Sequence, residues 1–518
     1  MRRSTLLIPM VVVVVLLLSP AALAVGPFGW YNGPDLIATG GIGNDPISWQ
    51  NSYPWSMAML DGDLYVGTGR LGCTSSVMSL MSGPMAGGMG VAMPGGTPPP
   101  KLMEFLSPDR TSVTDGVKFD AFNAVSRGEI WRYHLGTWQR VYQAPLIDSY
   151  MMKPPQAGQT QPEPYKAAAI TGFRGMAVLT DETGEKTLYA AAGGFTFAAQ
   201  QPLLMCSTDG ITWTPVYAPP EVGRESRAIY AHHGKLYVGV GFSGMGAPVA
   251  PGVWASSEPT DPTSWAKVID FPSLDQTNGN VVSFATFGGN LYAGTDNKTG
   301  YQVYRSTTAD PMGNADWKQI VTGGAGNSLN EWAGTMKVFD GKLYVGSMHV
   351  PGVSGSSEIK GFDLIRIAPD DTWELVIGTP RTAVTPLGAR TMTAISGQPS
   401  GMGNPLNLYC WSLAVQKGRL YLGTFDLTTM LKYADPSGLR IAAMLKMPVE
   451  QVRLLFTTAG GDLYMTRDGE SWQTITKTGF GNQFDYGFRN IVATRAGLYF
   501  GMSNPFYGCE LWSARTRK

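Results

Sequence analysis

Three arginines recur at one position of a repeating pattern, and arginine is the side chain best shaped to hold an anion. Arg227 and Arg489 each stand nine residues ahead of a recurrent Leu-Tyr pair. Phe173-Arg174-Gly175 matches Phe488-Arg489-Asn490 locally, which adds Arg174 to the set. The equivalent position elsewhere holds Trp55, Val282, Gly334 and Trp411, with Trp332 close by. A planar guanidinium matches a carboxylate, sulfate or phosphate in a two-pronged hydrogen bond. An indole face stacks on a sugar or an aromatic ring. Arg174, Arg227, Arg489, Trp55, Trp332 and Trp411 are therefore the candidate ligand-binding residues. The competing reading pairs each arginine with an acid of the adjoining repeat, for which Glu225, Asp485 and Glu331 are near enough in sequence.

Other chemistry is thinly supplied. The chain has four histidines, and only His349 is expected on the loop-bearing side. That is too few for a histidine metal cluster or a Ser-His-Asp set. No phosphate-cradling G-x-x-x-x-G-K-[ST] or strand-linked G-x-G-x-x-G run occurs, so no cofactor is expected. Glu129, Asp363 and Glu510 each come early in an expected third strand and are the acids a glycoside hydrolase or lyase would use. Such an enzyme needs two carboxyls about 5–10 Å apart. Met81, Met85, Met89 and Met93 are four apart, and thioethers are soft Cu(I) ligands. Gly83-Pro84 and Gly87-Gly88 forbid the helix that would align them, so they read as adaptable apolar residues and no metal is expected. Cys73, Cys206, Cys410 and Cys509 allow three disulfide connectivities, of which Cys73–Cys509 is favoured because it would join neighbouring repeats.

The elements that position these residues follow from a repeat. A Gly turn, Leu-Tyr, then a small residue or Val and Gly recur at Leu64-Tyr65, Leu188-Tyr189, Leu236-Tyr237, Leu291-Tyr292, Leu343-Tyr344, Leu420-Tyr421 and Leu498-Tyr499. The base period is roughly 50 residues, the spacing of propeller blades. An apolar run precedes each copy and two short strands follow, such as Gly128 to Tyr133 and Trp138 to Tyr142. The reading is all-β: a single seven-bladed propeller of four-stranded antiparallel blades over residues 25–518. The seventh copy stops after its third strand, so the segment around Trp30 to Gly41 is expected to complete it and close the ring.

Composition agrees. Glycine is 65 of 518 residues, well above the usual ~7%, and charged residues are 15% against the usual ~25%. Formal net charge is zero, which argues against a nucleic-acid surface. Arg2 and Arg3, an apolar run and Ala22-Leu23-Ala24 read as a signal peptide over residues 1–24, cleaved after Ala24. A secreted or periplasmic protein with no stable membrane span is expected. Long insertions fall at about 71–127, 145–169, 378–407 and 426–460. Strand order puts all four on one face, and short helices are expected within 439–456.

Two hairpins carry a further signal. Ser207-Thr208-Asp209-Gly210-Ile211-Thr212-Trp213 and Thr466-Arg467-Asp468-Gly469-Glu470-Ser471-Trp472 resemble the Asp-box (BNR) turn of sialidase-like and sortilin-like propellers. Both are one residue shorter than the usual turn. The resemblance implies the fold, since the motif is structural and is found in enzymes and binding proteins alike. A sialidase site would also bring a tyrosine nucleophile with a glutamate partner, and the chain lacks a clear Arg-Ile-Pro segment near its first blade. The favoured function is binding of a small-molecule, glycan or protein ligand on the insertion-rich face, anionic or saccharide in character. The alternatives are a glycoside hydrolase or lyase acting on acidic saccharides, and a structural envelope or surface protein.

Overall fold

The computed structural model describes residues 30, 33–45, 48–70, 127–149, 165–193, 202–218, 226–241, 250–351, 356 and 358–516. The signal segment, nearly all of the insertion at 71–127 with its methionines and Cys73, and Glu225 lie outside them. Among the described residues the chain is mostly β and propeller-like. Its strands pair as successive four-stranded antiparallel meanders. The first runs through Asn51–Leu60, Asp63–Arg70, Glu129–His134 and Thr137–Gln143. The first strands of the next five are Gly172–Thr180, Ser226–His232, Asn278–Phe287, Trp332–Phe339 and Asn407–Gln416. The seventh meander starts at Gly487–Ala493 and takes its fourth strand from the N-terminus, where Asp35–Ala38 pairs with Glu510–Arg515. Trp30 extends this pairing by a bridge to Thr516.

Packing explains the repeat. Its Leu and Tyr are buried in every copy except Tyr499, Tyr65 and Tyr237 almost completely. Burying such side chains contributes about 1.5–3 kcal/mol each. The repeat Gly lies where one meander's second strand meets the next meander's first strand. A Cβ on Gly67 would come within 2.6 Å of Phe173, and one on Gly423 within 2.4 Å of Phe488. On Gly501 it would meet Met57 and Pro54, so the seventh meander packs on the first. Side chains tie the same seams. Ser56 Oγ donates to the Phe173 carbonyl and Ser412 Oγ to the Phe488 carbonyl, both at 2.8 Å.

The loops between meanders share a second motif that the sequence reading missed. It reads Gly41-Ile42-Gly43-Asn44, Gly324-Ala325-Gly326-Asn327, Gly401-Met402-Gly403-Asn404 and Gly479-Phe480-Gly481-Asn482. Ile42, Ala325, Met402 and Phe480 all take left-handed backbone angles, with φ of 61, 56, 58 and 56°. A Cβ-bearing residue is held there at some cost, and the flanking glycines turn the chain tightly around it.

The described insertions carry structure of their own. Leu146–Ser149 pairs with Tyr165–Ala168, and Arg381–Thr385 with Gly388–Met392. Three short helices, Thr428–Ala434, Leu439–Leu445 and Val449–Thr457, fill the insertion of the sixth meander, in line with the expected helices. Met430, Leu431, Ile441, Val452 and Phe456 from them share an apolar cluster with Trp411 and Tyr486. In the two Asp-Gly turns, Asp209 Oδ1 accepts from the Ile211 and Thr212 amides, and Asp468 Oδ1 from the Glu470 and Ser471 amides. Gly210 and Gly469 of these turns press on Tyr65 and Tyr344, the repeat tyrosines of the preceding meanders. Cys206 and Cys410 are buried free thiols, which leaves the disulfide connectivities that use them without support.

Candidate functional site

Each of the seven first strands contains a β-bulge at the same place. Pairing skips one residue between Pro54 and Ser56, Phe173 and Gly175, Ser226 and Ala228, Val281 and Ser283, Ala333 and Thr335, Cys410 and Ser412, and Phe488 and Asn490. The skipped residues are Trp55, Arg174, Arg227, Val282, Gly334, Trp411 and Arg489. A bulge frees a side chain from the pleat and re-aims it. The position singled out in the sequence is thus the bulge position. Apart from Arg227, whose side chain is outside the described residues, all of these line one cavity of about 360 Å³, to which all seven first strands contribute.

Two of the units in its wall are near copies. In the first, Gly172 lies against the Trp55 ring and the Arg174 guanidinium stands 4.8 Å over the same ring. In the second, Gly487 lies against Trp411 and Arg489 stands 5.4 Å over it. The glycine two residues before each arginine is obligatory, because a Cβ would come within 2.5 Å of the indole in both units. Meanders six, seven, one and two are consecutive neighbours, so the wall reads Trp411, Arg489, Trp55, Arg174. Tyr53, Tyr409 and Tyr486 gather around it. Tyr53 lies 5.8 Å from Trp55 and 6.2 Å from Trp411, and Tyr486 Oη donates to Tyr53 Oη.

Charge in this cavity is one-sided. Arg174, Arg489 and Lys337 line it, and no Asp or Glu does among the described residues. Arg489 makes no ion pair or hydrogen bond with any described side chain. Burial, and then the nearby Arg174 cation, push its pKa down to about 10 from an ordinary 12.5. Burial likewise lowers the pKa of Lys337, although its side chain keeps contact with solvent.

Two of the acids considered as partners for the arginines, Glu331 and Asp485, are engaged elsewhere. Glu331 meets His349 at 3.0 Å, both fully buried, and His349 Nε2 donates to the Glu358 carbonyl. His349 is thus a buried tie to the loop that follows its strand. Asp485 accepts from Asn504 at 2.9 Å, and burial followed by the neighbouring Glu510 raises its pKa well above the carboxylate range.

The acids considered for hydrolysis are also committed to the scaffold. Glu129 is wholly buried between Arg70 at 2.8 Å and Arg140 at 2.9 Å, and accepts from Asn51, Trp131 and Gln143. Burial opposes its ionisation, yet Arg70 and these donors hold its pKa below normal. Asp363 sits between Lys360 at 3.1 Å and Arg381 at 2.9 Å, which pins the hairpin that follows the fifth meander to that meander. Glu510 accepts from Asn482 at 3.0 Å and Trp512 at 3.2 Å. Asp426 and Asp462 form a further buried pair at the root of the helical insertion. Burial, and for Asp426 the adjacent Asp462, raise both pKa values.

Of the six residues picked from sequence, the structure brings Trp55, Arg174, Trp411 and Arg489 together. Trp332 packs in the apolar cluster beside them and is absent from the cavity wall. Lys337 and the tyrosines were missed, although Tyr53-Pro54-Trp55 and Tyr409-Cys410-Trp411 share a legible Tyr-x-Trp signal.

No protein-family model matches the chain, and a search of curated proteins finds no match. Among solved structures the chain is similar to a Clostridium thermocellum α-L-arabinofuranosidase, at 15% identity over 58% of this chain and 93% of that one, with a TM-score of 0.28. It is also similar to the Trypanosoma rangeli sialidase bound to sialic acid, at 12% identity over 72% of this chain and 59% of that one, with a TM-score of 0.36.

Proposed function

We propose that this chain is an exported seven-bladed propeller, closed by its N-terminal strand, that binds an anionic ligand, an acidic saccharide foremost, at the mouth of its channel. Export rests on the signal segment 1–24 with cleavage after Ala24. The ring rests on seven meanders whose last member packs on the first. In this reading the insertions at about 71–127, 145–169, 378–407 and 426–460 form the rim of one face. The observation that carries the function is Arg489: a cation among aromatic rings that has no acid partner among the described residues, in a cavity wall to which no described Asp or Glu contributes. A cation partly withdrawn from water is costly, and an anionic ligand would offset that cost. The two Trp rings would take the apolar face of a sugar while the guanidiniums take its acid group.

A glycan array followed by titration calorimetry tests this. Acidic glycans should bind in preference to neutral ones, and Arg489→Ala and Trp411→Ala should each weaken that binding at least tenfold. Equal binding of neutral and acidic glycans, or no effect of Arg489→Ala, would refute it. The hydrolase alternative asks for two accessible carboxyls in the channel mouth. It is tested by incubating the protein with acidic polysaccharides and looking for new reducing ends.

A further inference from the structure

Lys337 occupies a position that the other meanders reserve for a different kind of residue. It pairs with the repeat tyrosine Tyr344. The residues paired with the other repeat tyrosines are Ala58, Ala177, Tyr230, Ala285, Ala414 and Val492. These are four alanines, a valine and a tyrosine, so Lys337 is the one charged residue at this position of the seven meanders. Its side chain enters the channel, has no ion pair or hydrogen bond among the described residues, and meets no acid in the wall. The side chain is exposed to the channel, so its charge is open to a ligand there.

The register fixes how much deeper Lys337 lies than the arginines. Its equivalent in the seventh meander is Val492, three residues beyond Arg489. At about 3.3 Å per residue, this is a step of about 10 Å down the channel. The two unpaired cations are therefore at different depths in one cavity, with apolar side chains such as Met57, Met336 and Leu413 also in its wall.

We infer that the ligand is an elongated molecule with two anionic groups about 10 Å apart, one held at Arg489 and the other at Lys337, so that it threads the channel instead of lying across its mouth. This rests on the anion-binding reading and adds the ligand's length, charge count and direction. An oligouronide and an aliphatic dicarboxylate share this chemistry. A second cation at depth also favours ligands that carry two charges, since a single-charge ligand held at Arg489 makes no contact with Lys337.

The test uses calorimetry at low salt with three probes: acetate, a series of α,ω-dicarboxylates of increasing length, and trigalacturonate. Lys337→Ala is the companion variant, and alanine at the equivalent position of four other meanders shows that the scaffold accepts it. For the unaltered protein, affinity should rise about tenfold over acetate once the carboxylates can reach about 10 Å. Lys337→Ala should abolish that gain. A gain on trigalacturonate alone supports the inference with a saccharide as the source, and a gain on the dicarboxylates alone supports it with an aliphatic chain. A gain that survives in Lys337→Ala, or no dependence on length, overturns the inference while leaving anion binding at Arg489 intact. Absence of binding by every probe overturns both.

Discussion

Replacing Arg489 with methionine should make the protein more stable and a poorer anion binder at once. Methionine keeps the length and apolar contact of the side chain and deletes the charge. The pKa of Arg489 falls from 12.5 to about 10 in the fold. One unit corresponds to about 1.4 kcal/mol, so the whole shift sets a ceiling of ~3 kcal/mol on the cost of holding the cation there. Arg489 is only partly buried in the wall, and water in the channel screens it, which brings the cost to about 1–2 kcal/mol. Loss of the contact with Trp411 returns about 0.5–1 kcal/mol in the other direction. The sign follows from linkage. A cation whose folded pKa lies below its unfolded value destabilises the fold at every pH below the folded pKa, so the cost is present in full at pH 7 and is relieved only above pH 10. Arg489→Met should therefore raise stability by about 1 kcal/mol, a shift in Tm of about 1 °C for a chain of this size. The assay is thermal unfolding in low salt, repeated with sodium sulfate and with sodium chloride at equal ionic strength. Sulfate should stabilise the unaltered protein more than chloride does, and this difference should vanish in the variant. A variant less stable than its parent, or one that keeps the sulfate response, would show that Arg489 is satisfied within the scaffold.

Other outcomes follow from the same geometry. Gly487→Ala drives a Cβ to within 2.5 Å of Trp411, so it should cost about 1–3 kcal/mol and change the near-ultraviolet circular dichroism of the tryptophans. Glu129→Gln should cost about 3–5 kcal/mol, because Arg70 then loses the Glu129 carboxylate in the interior. A variant that folds with normal stability would remove the structural role given to Glu129. Asp426 and Asp462 have folded pKa values raised to about 8 and about 6. Their contribution is fully present below the unfolded value and is lost as pH rises through 6 to 8, so stability should decline over that range. Asp426→Asn should flatten the decline in a Tm series from pH 5 to 9, and an unchanged slope would assign the dependence elsewhere.

The sequence by itself determined the repeat, and the reason is local. Each Leu-Tyr-x-Gly copy encodes a strand that must bury two side chains and let a neighbouring strand approach its glycine, so every copy has to recur at its own period. The same period located the bulge position, because Arg227 and Arg489 keep one distance from their Leu-Tyr pairs. The helices in the sixth meander's insertion were legible too, from a run with few breakers. What only the tertiary structure decided is which charges meet. Glu331, Asp485 and Asp363 look equally available along the chain, but each comes to rest beside a residue far from it in sequence or on another element. His349 took Glu331, Glu510 took Asp485, and Arg381 took Asp363. The stacking of Arg174 on Trp55, and of Arg489 on Trp411, joins residues of adjoining meanders, and no spacing within one repeat encodes it. Lys337 stood in plain view opposite a repeat tyrosine. Its isolation became visible only once seven strands were set around one cavity, since an unpaired charge is a property of what surrounds a residue and not of the residue alone.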